Sequence, residues 1–269
     1  SDLHDGNAYS LLKAVIQDQS VDAVLDTGDL VSFGTVDEAE AAGMFAGIAS
    51  LGVPYLFVRG NHDATSATDT ALLDRLAKIK NVVLLDPGDG SYREVSLGGV
   101  TIAGFNDPRF YGDSGVRTAA AQEPARRAFE AAYAGRPAPD VVASHEPSAL
   151  DGVTAGILVN GHTHIPDLEG NRIQVGTLTG GGPFSHFIAT DPGGGELAGQ
   201  PSAFDLLTFS PQCRLSSLTR FVYRGVYEGR PTFDDVTLVN GARIDTRKPD
   251  PERTCAPAPI RTERIPPAG

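Results

Sequence analysis

Only two cysteines, Cys213 and Cys255, occur in this chain, both in its C-terminal part. Two thiolates cannot build a metal cage by themselves, so a metal site would have to draw on other donors. Either the pair closes a disulfide that ties the tail to the domain, which implies an oxidising compartment, or both remain free thiols. Positive charge is also scarce: 22 Lys and Arg against 34 Asp and Glu leave a net charge of −12. That balance argues against a nucleic-acid surface held by phosphate neutralisation. An anionic substrate would need local positive charge, which bound metal ions can supply. No apolar run reaches membrane-spanning length, no signal peptide is visible, and no internal repeat or clear linker divides the chain. The opening Ser1-Asp2-Leu3-His4 reads as the end of a strand whose body lies upstream. The expectation is therefore a longer natural chain with room for a membrane anchor there.

What is present is an ordinary globular composition, 41% hydrophobic over 269 residues, enough for one large domain. Asn7 can cap a helix running to about residue 18, and Ala23-Val24-Leu25 is a short buried strand ending in Asp26-Thr27-Gly28-Asp29. Thr35-Val36-Asp37-Glu38 matches a capping box and predicts one helix to about residue 50. A strand over 54–58 ends in Arg59-Gly60-Asn61-His62-Asp63, and a helix over about 70–79 follows. This alternation is that of βαβ units. From Val82 the rhythm changes to successive strands over 82–85, 92–97 and 100–105, the last two joined at Gly98-Gly99. A helix is expected over about 117–134, then a strand ending at His145, then a hairpin turning at Glu169-Gly170-Asn171. The glycine-rich stretch 176–199 predicts loops over the site. Strands resume around 204–209, 214–223 and 235–239, and the proline-bearing tail from about residue 248 should be extended, docked or disordered.

The histidines carry the chemistry. Of His4, His62, His145, His162, His164 and His186, five sit at or just past predicted strand ends, beside Asp or Asn. The apolar run 155–159 reads as a buried strand leading into Gly161-His162-Thr163-His164. In extended chain, residues two apart point to one side, so His162 and His164 should present two imidazoles together. Adding Asp2, Asp29 and Asn61 gives an oxygen and nitrogen donor set without thiolates, which suits Mn, Fe or Zn.

The blocks Asp2-Leu3-His4, Gly28-Asp29, Gly60-Asn61-His62-Asp63, His145 and Gly161-His162-Thr163-His164 follow the order and approximate spacing of calcineurin-like metallophosphoesterases. The chain resembles that family over roughly its first 190 residues. The resemblance implies an α/β fold, a four-layer αββα sandwich of two mixed β-sheets flanked by helices. It implies that Asp2, His4 and His164 hold one divalent metal, that Asn61, His145 and His162 hold the other, and that Asp29 bridges them. A hydroxide shared by both metals would be the nucleophile, with the phosphate ester lying across both. His62 would serve the substrate as proton donor to the leaving oxygen or as a transition-state clamp. Asp63 beside it would favour the charged imidazolium and fix its orientation.

Other residues near these blocks admit two readings each. Asp26 either orients a ligand histidine or bonds backbone at the strand end, and Arg59 either touches a substrate phosphate or forms a salt bridge. Asn106 and Asp107 suit a turn better than the pocket rim. His186 suits a satisfied loop position, and Gly180-Gly181-Gly182 a flexible loop. Protein Ser/Thr phosphatases of this fold carry an acidic-Arg pair where this chain has Ser32-Phe33, and end the next block in Glu where it has Asp63. Purple acid phosphatases place a tyrosine ligand at the position of Ser32. What remains resembles bacterial phosphodiesterase-type members, including cyclic-nucleotide and phospholipid-head-group hydrolases.

The function expected is therefore hydrolysis of a small phosphate ester, diesters slightly preferred. A non-catalytic scaffold binding a partner protein and a nuclease are the alternatives. The expected organisation is a catalytic core over 1–200, strands over 201–247 that complete the second sheet or form a cap, and a tail over 248–269. The cysteine pair and the tail suggest an extracytoplasmic domain of a membrane-anchored protein, the alternative being the cytoplasm.

Overall fold

Short apolar segments rich in Val, Leu, Ile and Phe form the frame, and the side on which each residue lands shows how the layers stack. The computed structural model describes residues 1–113, 119–185, 187–189, 197–227 and 230–268. In order come α1 (Tyr9–Gln19), β1 (Val24–Asp26), α2 (Val36–Ala41), α3 (Met44–Ser50), β2 (Tyr55–Phe57), α4 (Ala71–Leu76) and β3 (Val82–Leu84). Next are β4 (Tyr92–Leu97), β5 (Val100–Gly104), α5 (Ala119–Ala132), β6 (Val141–Ala143), β7 (Ile157–Asn160), β8 (Asp167–Glu169) and β9 (Arg172–Gln174). The chain ends with β10 (Phe187–Ala189), β11 (Leu197–Gly199), β12 (Ser202–Phe209), β13 (Leu215–Tyr227), β14 (Arg230–Asn240) and β15 (Arg261–Ile265).

Strands β1, β2 and β3 run parallel. A seven-stranded mixed sheet has the order β15-β4-β5-β6-β7-β9-β8, parallel from β5 through β9 and antiparallel at its outer strands. Strands β12, β13 and β14 form an antiparallel sheet. The first residues stitch this sheet to β1. Asp2 N–H donates to Gly28 O (2.8 Å), Leu178 N–H donates to Ser1 O (3.1 Å), and Ala203 N–H donates to Thr177 O (2.7 Å).

Alternation along the strands sorts residues into three cores. Tyr55 and Phe57 join Leu11, Ile16, Met44, Ile48, Leu72 and Leu76 under the helices α1 to α4. Leu56, between them, points the other way, into a core with Val95, Ile102, Val141, Ile157, Val159 and Ile173 from the facing sheet. Ala103, Val142 and Leu158 face outward from that sheet, against Phe129 of α5 and Tyr133 just after it. The layers are thus helices, sheet, sheet, helix: an α/β sandwich of mixed sheets flanked by helices. A cavity of about 730 Å³ lies between the sheets, walled by residues of β1 and β12, with Ser1 on its border.

Several local expectations are corrected. The helix expected over 35–50 is two helices divided at Gly43, whose φ of 72° is left-handed and interrupts the turn-by-turn ladder. The Thr35–Glu38 capping box is present as the sequence predicts. Asn7 lies one residue before the N-cap Ala8, and its Oδ1 accepts from the N–H of Tyr9 (3.4 Å), the first residue of α1. Its Nδ2 also donates to Ala42 O (2.9 Å), bridging α1 to the end of α2. The stretch 176–199 is not all loop, because β10 and β11 pair antiparallel within it. The tail docks: β15 pairs with β4, and Cys213 is disulfide-bonded to Cys255. His186 lies outside the described residues.

Candidate metal centre

The candidate ligands gather where the strands end, and their backbones show the strain of gathering. Asp2, His4, Asp29, His162 and His164 all have left-handed φ, between 43° and 70°. A non-glycine residue in that region costs about 1–3 kcal/mol and persists where the surroundings over-determine it. After β7 the chain therefore leaves extended geometry, so His162 and His164 do not lie side by side as strand alternation predicts. Each turns into a different cluster. One brings together Asp2, His4, Asp29 and His164, all buried, and the other Asp29, His145 and His162. Within each, one donor atom per residue lies within 4.8 Å of the rest.

The separations are those of atoms that share a cation. His4 Nε2 is 3.0 Å from His164 Nε2, and His145 Nε2 is 3.2 Å from His162 Nδ1 and 3.1 Å from Asn61 Oδ1. Ligand atoms held at about 2.1 Å on one ion, at right angles, stand ~3 Å apart. Asp29 Oδ2 lies 3.7 Å from His4 Nε2 and 3.1 Å from His145 Nε2, so one carboxylate oxygen faces both clusters. Ring nitrogens turned toward one another in a buried site beside two carboxylates fit divalent cations.

The surroundings set which nitrogen is available. His145 Nδ1 donates to Thr27 O (2.8 Å), leaving Nε2 free to ligate. His162 Nε2 lies 3.0 Å from Glu146 Oε2, which leaves Nδ1 for the cluster. Arg109 holds Glu146 in turn (2.8 Å) and is itself gripped by Asp107, whose Oδ1 also accepts from Gln122 Nε2 at 3.0 Å. Gly181 passes so close to His164 that a Cβ there would lie 2.6 Å from Nδ1. The glycine stretch is thus a close-packed wall of the site.

Electrostatics follow from burial and the carboxylates. Burial would raise the Asp29 carboxyl, but the His145 imidazole against it holds it well below the usual range. Reciprocally, burial opposes charge on His145, yet Asp29 raises it to about 10. Burial lowers His4 to about 4, and burial with the neighbouring His145 lowers His162.

His62 sits beside both clusters without joining either. Its backbone N–H donates to Asp29 Oδ1 (2.8 Å), and its ring Nδ1 lies 2.7 Å from Ser32 O, to which it donates. Ser32, not Asp63, therefore orients the imidazole. Asp63 accepts from the backbone N–H groups of Asp29 (2.8 Å), Leu30 (2.7 Å), Val31 (3.3 Å) and Gly60 (2.8 Å), binding the two ligand loops together. Burial and nearby Asp29 push its carboxyl up to about 7, against the pull of those N–H groups.

The remaining positions resolve toward structure. Asp26 accepts from Gly28 N–H (3.0 Å) and from the Tyr55 hydroxyl. Arg59 donates to the carbonyls of Asp107, Asp69 and Arg109, neither to a carboxylate nor toward the clusters. Asn106 Oδ1 accepts from Arg59 N–H (2.7 Å). Sequence reading did not single out Glu146 and Arg109, or Ser32 as a positioning group. The one available signal was the placement of Glu146 directly after His145.

A sequence model described as calcineurin-like phosphoesterase matches residues 1–166, more than half of the chain. No curated protein matches it. Among solved structures, a candidate 5′-nucleotidase from Staphylococcus aureus, in complex with α-ketoglutarate, is similar at 14% identity with a TM-score of 0.38. The match covers 91% of this chain and 51% of that one, so this chain spans about half its length.

Proposed function

The chain belongs to the calcineurin-like phosphoesterase family, and from that membership we propose that it hydrolyses phosphate esters with two divalent metal ions, diesters ahead of monoesters. The observation that carries the reading is Asp29, one buried carboxylate shared by two donor clusters. Asp2, His4 and His164 would hold one ion and Asn61, His145 and His162 the other, with the Asp29 carboxylate facing both donor clusters. The donor set, oxygen and nitrogen without thiolate, suits Mn, Fe or Zn. When bound, the two cations supply charge neutralisation at the phosphoryl oxygens and lower the pKa of the attacking water.

The chain's own residues supply the rest. His62 donates a proton from Nε2 to the leaving oxygen. Ser32 O keeps the other proton on Nδ1, so the ring stays in one tautomer after transfer. Thr27 O and Glu146 orient His145 and His162 with their ligating nitrogens inward. A preference for diesters is supported by the cations left over. Arg59 and Arg109, which flank the ligand loops, are committed to carbonyls, Asp107 and Glu146, so neither offers itself to a monoester's second negative charge. Ser32-Phe33, where protein phosphatases carry their acidic-Arg pair, supports a phosphodiesterase-type member. The division into a catalytic core over 1–200, strands over 201–247 and a tail over 248–269 belongs to the same reading. So does an extracytoplasmic location, supported by the Cys213–Cys255 disulfide. Among the described residues no helix is long and apolar enough to cross a membrane.

Turnover of bis(p-nitrophenyl) phosphate and p-nitrophenyl phosphate with added Mn tests the function. Turnover abolished by chelation and restored by metal is expected, and turnover of neither ester would refute it. His62→Ala should lower kcat by about 10²–10⁴ with metal content unchanged. Thiol labelling of protein purified without reductant tests the location, and free Cys213 and Cys255 would contradict it.

A further inference from the structure

Three loops each bring an aromatic ring to one side of His62. Phe33 follows Asp29 in the loop after β1, Tyr111 lies in the loop after β5, and Phe184 ends the 3₁₀ turn Gly182–Phe184. The His62 ring centroid lies 4.5 Å from that of Phe184 and 5.4 Å from that of Tyr111. Phe33 meets Tyr111 edge to face at 5.1 Å and Phe184 at 6.3 Å. Phe184 also reaches His4, a candidate ligand, at 4.8 Å.

Two of these rings stand in water: Phe33 is 47% exposed and Tyr111 39%. Their backbones are nevertheless held in place. Phe33 N–H donates to Glu38 Oε1 (3.0 Å), and Tyr111 N–H donates to Ala64 O (2.9 Å). Neither ring fills a core, unlike Phe105 and Phe129, which are buried against one another. Two anchored aromatic rings in contact at the rim of a polar, acidic site offer apolar area that a guest can bury.

We propose that Phe33 and Tyr111 form the recognition surface for a flat unsaturated ring, an aryl group or a nucleobase, carried on the leaving side of the phosphate ester. The proposal rests on the phosphoesterase reading and on His62 facing the leaving oxygen. The two exposed rings touch each other, and Tyr111 touches His62, so a group leaving past His62 emerges against them. An aromatic guest gains offset-stacked or edge-to-face contacts at centroid distances of about 4.5–7 Å, which a saturated group of equal area does not. Any base has a π face, so the surface selects a ring and not a particular base. A neutral ring also suits a protein whose net charge of −12 disfavours anionic groups beyond the metals' reach.

The test uses non-hydrolysable ligands, so that the better leaving ability of phenols plays no part. Inhibition of chromogenic diester turnover is measured with methylphosphonate, 2-phenylethylphosphonate, 2-cyclohexylethylphosphonate and a nucleoside 5′-phosphonate. The phenyl ligand should inhibit roughly threefold to tenfold more tightly than the cyclohexyl one. Phe33→Leu and Tyr111→Leu should each shrink that ratio while leaving inhibition by methylphosphonate unchanged. The chain contains no tryptophan, so Phe33→Trp places a single indole on the surface. Its emission should change with the ring-bearing phosphonates and not with methylphosphonate. Tighter binding of the nucleoside ligand than of the phenyl one identifies a nucleobase as the natural guest, and the reverse identifies a simple aryl group. Equal inhibition by the phenyl and cyclohexyl ligands would overturn the proposal, as would an indole indifferent to every ring. A protein that turns over no ester defeats the phosphoesterase reading instead, and the indole signal still decides the ring site.

Discussion

Asp29 is the residue on which both clusters depend. One of its oxygens faces His4 and His145, and the other accepts the His62 backbone N–H. Asp29→Asn keeps the shape but replaces the shared carboxylate by a neutral amide. The expected outcome is a fall in activity of at least about 10²-fold, as for loss of other preorganised electrostatic groups, with metal content below two ions per chain by elemental analysis. The His145–Asp29 pair gives a second prediction at this scale. His145 is raised to about 10, so without metal its ring stays protonated across neutral pH. A metal that takes its nitrogen must release that proton, and affinity should rise roughly tenfold per pH unit between pH 7 and 9. A pH-independent affinity by calorimetry would contradict this. The sign for the metal-free fold is opposite. A raised histidine contributes stability that is full below its unfolded pKa of about 6.5 and is lost as pH rises toward 10.

Among the elements, the ligand loops after β1 and β2 act as one unit because Asp63 ties them with four backbone N–H groups. Asp63→Asn turns half of that acceptor into a donor facing N–H groups. A loss of about 1–3 kcal/mol in denaturant unfolding is expected, together with weaker metal binding although no proposed ligand has changed. The position of Asp63 beside His62 suggested a partner for the ring, and the sequence offers no sign that the backbone of Asp29, Leu30 and Val31 takes it instead. That contact joins positions 34, 33 and 32 residues apart. The same limit applies to His162 and His164. Their spacing is legible, but the left-handed turn sets the His162 N–H on Asp2 Oδ1 (3.1 Å) and His164 against His4 and Gly181, all remote in sequence. Gly43 is a different case: a glycine inside a helical pattern is visible in the sequence, while the left-handed φ it adopts is not.

At the scale of the molecule, the tail is bound back onto the sandwich by a covalent link and by charge. Cys255 is bonded to Cys213, 42 residues earlier, and β15 adds an edge strand to β4. Asp140 at the start of β6 receives Arg247 Nη1 (2.6 Å) and Arg253 Nη1 (2.7 Å). Reduction of the disulfide, or the Cys213→Ser, Cys255→Ser double variant, should lower unfolding free energy by about 2–4 kcal/mol. Metal-dependent turnover at low temperature should survive, because no candidate ligand lies in the tail. Unchanged stability under reductant would show that the ion pairs and β15 alone hold it.

The linear chain determined the donor chemistry and the strand–loop–helix rhythm, because side-chain type and hydrophobic period are local properties. It therefore placed Asp2, His4, Asp29, Asn61, His62, His145, His162 and His164 at strand ends. The family resemblance already implied which imidazole goes with which ion; only the folded arrangement decided that Ser32 and Glu146 aim the rings, and that Phe33, Tyr111 and Phe184 meet beside His62. Each of those facts is a distance between loops remote in sequence, set by how two sheets stack and how far each strand runs before it turns.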